Sequence, residues 1–218
     1  MDLKEWDNVN GLSWYPWVGK NYFSLPLPQR ILLVGESHYY KTKDQEIIYR
    51  NNRYSTIECI EESAINEDWD NNTYRYLNYV LKRNNKKSNE DIWNMYAYYN
   101  FVQSAVEKKD RPSFDDFYSG WPVFIEIIET LKPCICIFIG VAALGTYNVY
   151  MEEAEIAHEK VQMTQKISRT WARKANISVA GHETMIIGIQ HTSQYFAYEE
   201  WIEYIDKETK GLVKYHGE

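Results

Sequence analysis

Three apolar runs, each closed by a glycine or a polar turn, constrain this chain more than anything else in it. Ile31-Leu32-Leu33-Val34 ends at Gly35, Cys134 to Ile139 ends at Gly140, and Met185 to Ile189 ends at Gln190-His191. Short continuous runs without polar alternation read as strands buried on both faces, the pattern of a parallel sheet. Trp93 to Tyr99 reads as a further strand, ending at Asn100. Helices are predicted near 44–51, 56–66 and 72–84. Another opens after Pro112-Ser113, where Trp121, Phe124, Ile125, Ile128 and Leu131 share one face and Pro133 ends the run. Val141 to Leu144 begins the next helix, and Tyr195 to Ile205 forms the last. Residues 150–178 are charged and weakly periodic and read as an insertion, partly helical. Strands alternating with helices imply a three-layer α/β/α sandwich with a mostly parallel four-stranded central sheet. A length of 218 residues suits one such domain over 1–218.

Composition narrows the function classes. The formal charge of -7 argues against a broad basic surface tracking a phosphate backbone. Two small basic clusters, Arg169-Arg173-Lys174 and Lys82-Arg83-Lys86-Lys87, read as solvated faces. Cys59, Cys134 and Cys136 lack metal-ligand spacing and read as reduced thiols, so no metal and no cofactor are expected. The opening residues carry Asp2, Lys4, Glu5 and Asp7, which is not the pattern of a secretory leader. No apolar run approaches the roughly 20 residues that span a bilayer. These features together imply a cytoplasmic protein without a membrane partner. The 19 Tyr, 8 Trp and 7 Phe exceed what one core absorbs, so some rings coat the surface or line a cleft for planar ligands.

In parallel α/β sheets, ligands bind beyond the carboxyl ends of the strands. Polar groups gather at three of those ends. Gly35-Glu36-Ser37-His38-Tyr39-Tyr40 sets an acid, a hydroxyl and an imidazole directly after a buried strand. Asn100 offers an amide with one acceptor and two donors, suited to a base edge or to capping a helix. His191-Thr192-Ser193 brings a second imidazole, able to donate to a leaving group near neutral pH.

In this order the pieces resemble the uracil-DNA glycosylase superfamily, over about Ile31 to Ile205. The family's first motif, of type G-Q-D-P-Y-H or G-E-A-P-G, is matched by Gly35-Glu36-Ser37-His38-Tyr39-Tyr40. Asn100 stands where the family's base-reading Asn ends the next strand. Gly120-Trp121-Pro122-Val123-Phe124 is similar to the family's Gly-Trp-x-x-Phe helix, and His191-Thr192-Ser193 to its H-P-S motif. The resemblance implies a base flipped into a pocket, in DNA or as a free nucleoside. It assigns catalysis to Glu36, Ser37, His38 and His191, and substrate binding to Gly35, Tyr39, Tyr40, Asn100, Thr192 and Ser193. Ser37 replaces the water-orienting Asp, His38 and Thr192 replace motif prolines, and the cluster-binding cysteines of the G-E-A-P-G relatives are absent. The stacking ring has three candidates, Tyr39, Tyr40 and Tyr49.

Two other readings remain open at this point. One is a glycosylase-like module that binds a nucleobase or DNA without cleaving it. The other is a Gly-Glu-x-His hydrolase, similar to erythromycin-esterase-like and haem-handling proteins, in which Glu36 and His38 act together. The first two readings require Glu36, Asn100 and His191 to line one pocket of pyrimidine size with an aromatic wall. Oligomeric state is not fixed by any of these features.

Overall fold

Alternate residues of a strand face opposite sides, and in Ile31-Leu32-Leu33-Val34 both sides are apolar, so both must be covered. The structure, a computed structural model, describes residues 3–68, 72–83, 86–193 and 195–213. Its strands are β1 (Trp17–Val18), β2 (Ile31–Gly35), β3 (Tyr39–Tyr40), β4 (Ala97–Asn100), β5 (Val106–Glu107), β6 (Ile135–Ile139), β7 (Gln162–Ile167), β8 (Thr170–Val179) and β9 (His182–Ile189). Its α-helices are α1 (Lys43–Asn51), α2 (Ser55–Cys59), α3 (Asn72–Lys82), α4 (Asn89–Trp93), α5 (Phe114–Leu131), α6 (Tyr147–Glu153) and α7 (Tyr198–Glu208). A π-helical turn, Ile60–Ile65, continues α2.

The fold is α/β, with one mixed seven-stranded sheet in the order β1-β4-β2-β6-β9-β8-β7. Its four neighbouring central strands, β4, β2, β6 and β9, run parallel. Antiparallel strands widen the sheet on both sides, β1 beyond β4 and the β8–β7 hairpin beyond β9. The expected four-stranded sheet is therefore too narrow. Residues 150–178, read as a partly helical insertion, hold only the end of α6 and then β7 and nearly all of β8. Their misreading has a physical cause. β7 is an edge strand with its first five residues exposed, so no apolar alternation marks it. Trp93 ends α4 and is not part of β4.

Leu32, Val34, Ala97, Tyr99, Cys136 and Phe138 face α5, α6 and the N-terminal segment that contributes Trp6, Tyr15 and Tyr22. Ile31, Leu33, Tyr98, Ile135, Ile137, Ile187 and Ile189 face α3, α4 and α7. The sheet is thus covered on both sides. Capping boxes start α4 at Ser88/Asp91 and α5 at Ser113/Asp116. At the end of α5, Lys132 turns left-handed (φ 48) and Pro133 follows.

Gly120 shows why the Gly-Trp-x-x-Phe segment takes its form. A Cβ at Gly120 would lie 2.5 Å from Phe101 Cε1 and 2.9 Å from the Phe101 carbonyl oxygen. The bare glycine lets α5 settle directly on the turn that follows β4, while Trp121 packs against Phe101, Phe124 and Phe138. Overpacking of this kind costs about 1–3 kcal/mol. Gly120→Ala is expected to lower the unfolding free energy by that amount in urea titration; a wild-type midpoint would show that the turn yields freely.

Candidate active site at the C-terminal edge of the sheet

The register of the parallel strands decides which residues share the rim. Gly35 pairs with Asn100, Val34 with Phe138, and Ile139 with Ile189. Extending the Val34–Phe138 register by two residues sets Glu36 level with Gly140, and extending the Ile139–Ile189 register by one sets Gly140 level with Gln190, with His191 one step further. Backbone bonds hold this geometry past the strand ends. Phe101 N–H donates to the Gly35 carbonyl and Val102 N–H to the Glu36 carbonyl, each at 2.9 Å. The turn after β4 is held in turn by Ser13, whose N–H donates to Gln103 Oε1 (2.8 Å) and whose hydroxyl donates to the Gln103 carbonyl (2.6 Å).

Glu36 and His191 meet over Gly140. A Cβ at Gly140, which has φ +119, would lie 3.5 Å from Glu36 Oε2 and 3.7 Å from His191 Cδ2. The two oxygens of Glu36 are not equivalent. Oε1 accepts from the Tyr39 hydroxyl and, at 3.3 Å, from Arg111 Nη1. Oε2 accepts from no described residue. The carboxylate is therefore anchored on one side and open on the side that faces Gly140 and His191. The Tyr39 phenol is pushed upward by burial and by this bond to Glu36.

His191 is held as a donor. Ser193 N–H donates to His191 Nδ1 at 3.2 Å, with the Ser193 hydroxyl 2.9 Å from the same nitrogen. A backbone N–H can only donate, so Nδ1 accepts and the ring proton sits on Nε2. Burial lowers the His191 pKa; the Glu36 carboxylate opposes that shift and Arg111 adds to it. The ring is thus a neutral donor at neutral pH.

Asn100 is buried at the end of β4, and its Oδ1 accepts from the Tyr98 hydroxyl at 3.0 Å. That bond fixes the amide so that its NH2 points elsewhere, and this NH2 donates to no described residue. Gly35 makes room for the pair: a Cβ there would lie 2.1 Å from Tyr98 Oη and 2.4 Å from Asn100 Oδ1. β4 and β9 lie three strand spacings apart, about 14 Å at ~4.8 Å each.

The structure does not bring every sequence candidate to this place. His38 is buried between Trp14 (ring centroids 4.6 Å) and Tyr49 (4.7 Å, stacked), with Nε2 2.9 Å from Thr56 Oγ1. It is a packed core residue, enclosed away from the Glu36 carboxylate. The Ser37 hydroxyl donates to the Ser104 carbonyl (2.6 Å) and ties two loops together. The Thr192 hydroxyl, fully buried, donates to the Thr73 carbonyl of α3 (3.0 Å) and anchors the last motif's loop. Tyr40 lies beneath Lys43 Nζ, 5.9 Å from the ring centre. Of the three stacking candidates, Tyr39 serves Glu36, Tyr40 faces Lys43 and Tyr49 stacks on His38.

The cavity that Glu36 lines is smaller than the expected pyrimidine-sized pocket. It measures about 10 Å³ and is bounded by Gly35, Phe101, Phe117, Phe138, Gly140 and Ala143 among others. Phenylalanine rings fill the space, leaving room for about one water molecule. Neither Asn100 nor His191 lines it. Among the described residues, no group of three or more His, Cys, Asp or Glu side chains is placed to hold a metal ion. No helix of the described residues is long and apolar enough to cross a membrane.

Sequence reasoning missed Arg111 and Tyr98. Tyr98 was open to discovery, since it lies two residues before Asn100 on the same face of a strand. Arg111 sits in a polar loop 75 residues from Glu36, and nothing local marks it. No protein-family model matches the chain, and no curated protein does.

Burial pushes the His38 pKa down to about 3. The unfolded chain protonates that ring at about 6.5. Its contribution to stability is therefore complete above pH 6.5 and is lost as pH falls from there toward 3. At pH 5 the loss from this one group is about 2 kcal/mol. Between pH 7 and pH 5, His38→Gln is expected to lose that much less stability than wild type in denaturant titrations. Equal losses would show that His38 takes up its proton in the folded state.

Proposed function

We propose that this chain is a divergent uracil-DNA glycosylase-like hydrolase that cleaves the N-glycosidic bond of a nucleobase. The observation that carries this reading is the meeting of an open carboxylate oxygen, Glu36 Oε2, with a neutral imidazole donor, His191, over Gly140. Asn100 ends the neighbouring strand β4 outside the small cavity that Glu36 lines, with an amide NH2 that donates to no described residue. The sequence resemblance supports the same assignment, with Glu36 taking the part that falls to Asp elsewhere in the family.

The step balances with these groups alone. Water held by Glu36 Oε2 attacks the sugar carbon, and the water-sized cavity beside Glu36 is where such a molecule fits. The bond from that carbon to the base nitrogen breaks, and its electron pair leaves with the base. His191 Nε2–H donates to the base oxygen where the negative charge collects. The water proton passes to Glu36. Tyr39 and Arg111, both on Oε1, keep the carboxylate turned toward the sugar.

The Gly-Glu-x-His alternative gains no support from the packing of His38 against Trp14 and Tyr49. The binding-module reading differs from the proposal only in turnover. The test is base release from uracil-containing and other deaminated oligonucleotides. His191→Ala is expected to slow release roughly 100- to 1,000-fold, the loss typical of one transition-state donor. Glu36→Gln, which keeps the shape but not the charge, is expected to slow it roughly 100- to 10,000-fold. A base or strand bound by wild type but never released would replace this proposal with the binding module.

A further inference from the structure

The chain carries 31 acidic residues, yet residues 160–182 contain neither Asp nor Glu. In the same stretch stand Lys160, Lys166, Arg169, Arg173 and Lys174. This acid-free segment is the β7–β8 hairpin. Lys160 is paired with Glu152 and Lys174 with Glu208. Lys166, Arg169 and Arg173 form no ion pair with any described residue. An acidic protein thus concentrates unpaired positive charge on one element.

The element's position gives the charge a meaning. β8 lies beside β9 with Arg173 opposite Gly188. Carrying that register outward sets Trp171 level with Gln190 and Thr170 level with His191. The hairpin turn therefore stands at the same edge of the sheet as Glu36 and His191. Arg173 Cβ and Val141 Cγ1 lie 3.4 and 3.5 Å from where a Gly188 Cβ would be, so Arg173 borders the turn that follows Gly140. Arg173 Nε is shielded from solvent and has no acceptor. A guanidinium nitrogen so placed gains from an anion brought alongside it. Between these cations Trp171 lies 45% exposed, directly across from Lys166.

Unpaired cations interleaved with an exposed indole match a single-stranded nucleic acid, whose phosphates meet the charges and whose unpaired bases stack on the ring. We propose that the β7–β8 hairpin binds single-stranded DNA next to the candidate active site, through Lys166, Arg169 and Arg173 for phosphates and Trp171 for a base. This rests on the glycosylase-like reading for what happens at the rim, and narrows its substrate from free nucleosides to a strand. A duplex fits less well, because its bases offer no free face to Trp171.

The test is fluorescence anisotropy of a labelled twelve-residue oligo-dT, alone and as a duplex, across roughly 50–200 mM NaCl. Three phosphate contacts on a single strand predict a slope of log K against log salt near −2, at ~0.7 per contact. The double variant Lys166→Gln/Arg169→Gln is expected to flatten the slope to about −0.7. Trp171→Ala is expected to weaken binding about ten-fold with the slope unchanged, as loss of one stacked base does. All three side chains are exposed, so these variants do not open the core. Binding that ignores salt, a duplex held more tightly than the single strand, or an unchanged slope in the double variant would each overturn the proposal. The two readings also fail separately. A strand bound through the hairpin but never relieved of a base removes the glycosylase reading alone. Base release without salt-dependent strand binding removes the hairpin alone.

Discussion

Burial of the central parallel strands on both faces is the constraint from which the rest of the structure follows. Ile31 to Val34 and Ile135 to Ile139 have no exposed side on which a polar group can sit. Polar side chains are thereby expelled to the strand ends, and parallel direction puts the carboxyl ends of all four strands at one rim. The gathering of Glu36, Asn100, Gly140 and His191 there is a consequence of topology. Their fine placement is the work of small bonds and missing side chains.

Glycine does much of that placement. Gly35 leaves the gap into which Tyr98 and Asn100 fit, and Gly140 leaves the gap over which Glu36 and His191 meet. In both cases a methyl group would stand in or against the site. Supporting polar groups complete the arrangement by engaging one half of each functional side chain. Tyr39 and Arg111 hold one oxygen of Glu36, Ser193 holds one nitrogen of His191, and Tyr98 holds the oxygen of Asn100. Each group is then left with its other half unpartnered among the described residues.

The two imidazoles near the sheet's carboxyl edge illustrate how packing separates look-alikes. Both follow a buried strand closely, and both have pKa values lowered by burial. His38 is enclosed by Trp14 and Tyr49, with Thr56 at Nε2 and Cys59 at Nδ1. Among the described residues His191 is bonded only through Nδ1, and it lies beside Glu36. Ser37 and Thr192 likewise turn out to be ties between loops, their hydroxyls satisfied by the carbonyls of Ser104 and Thr73.

The sequence by itself determined the α/β class, the central strands and the rim positions of Glu36, Asn100 and His191. A run buried on both faces needs apolar residues throughout, and that demand is written locally in the chain. It left the edges unread. β1 is two residues long and β7 is exposed along its first five residues, so neither carries an apolar alternation, while in β8 buried Ala175, Ile177 and Val179 do alternate with Lys174, Asn176 and Ser178, a half-buried strand signal that the charged surroundings masked. Only the tertiary structure decided that the stretch after α6 is a cationic hairpin standing beside His191. Only it decided that Arg111, 75 residues away, holds Glu36. It also separated His38 from the site. Long-range pairings of this kind depend on which loops come to lie side by side, and no spacing within a segment records that.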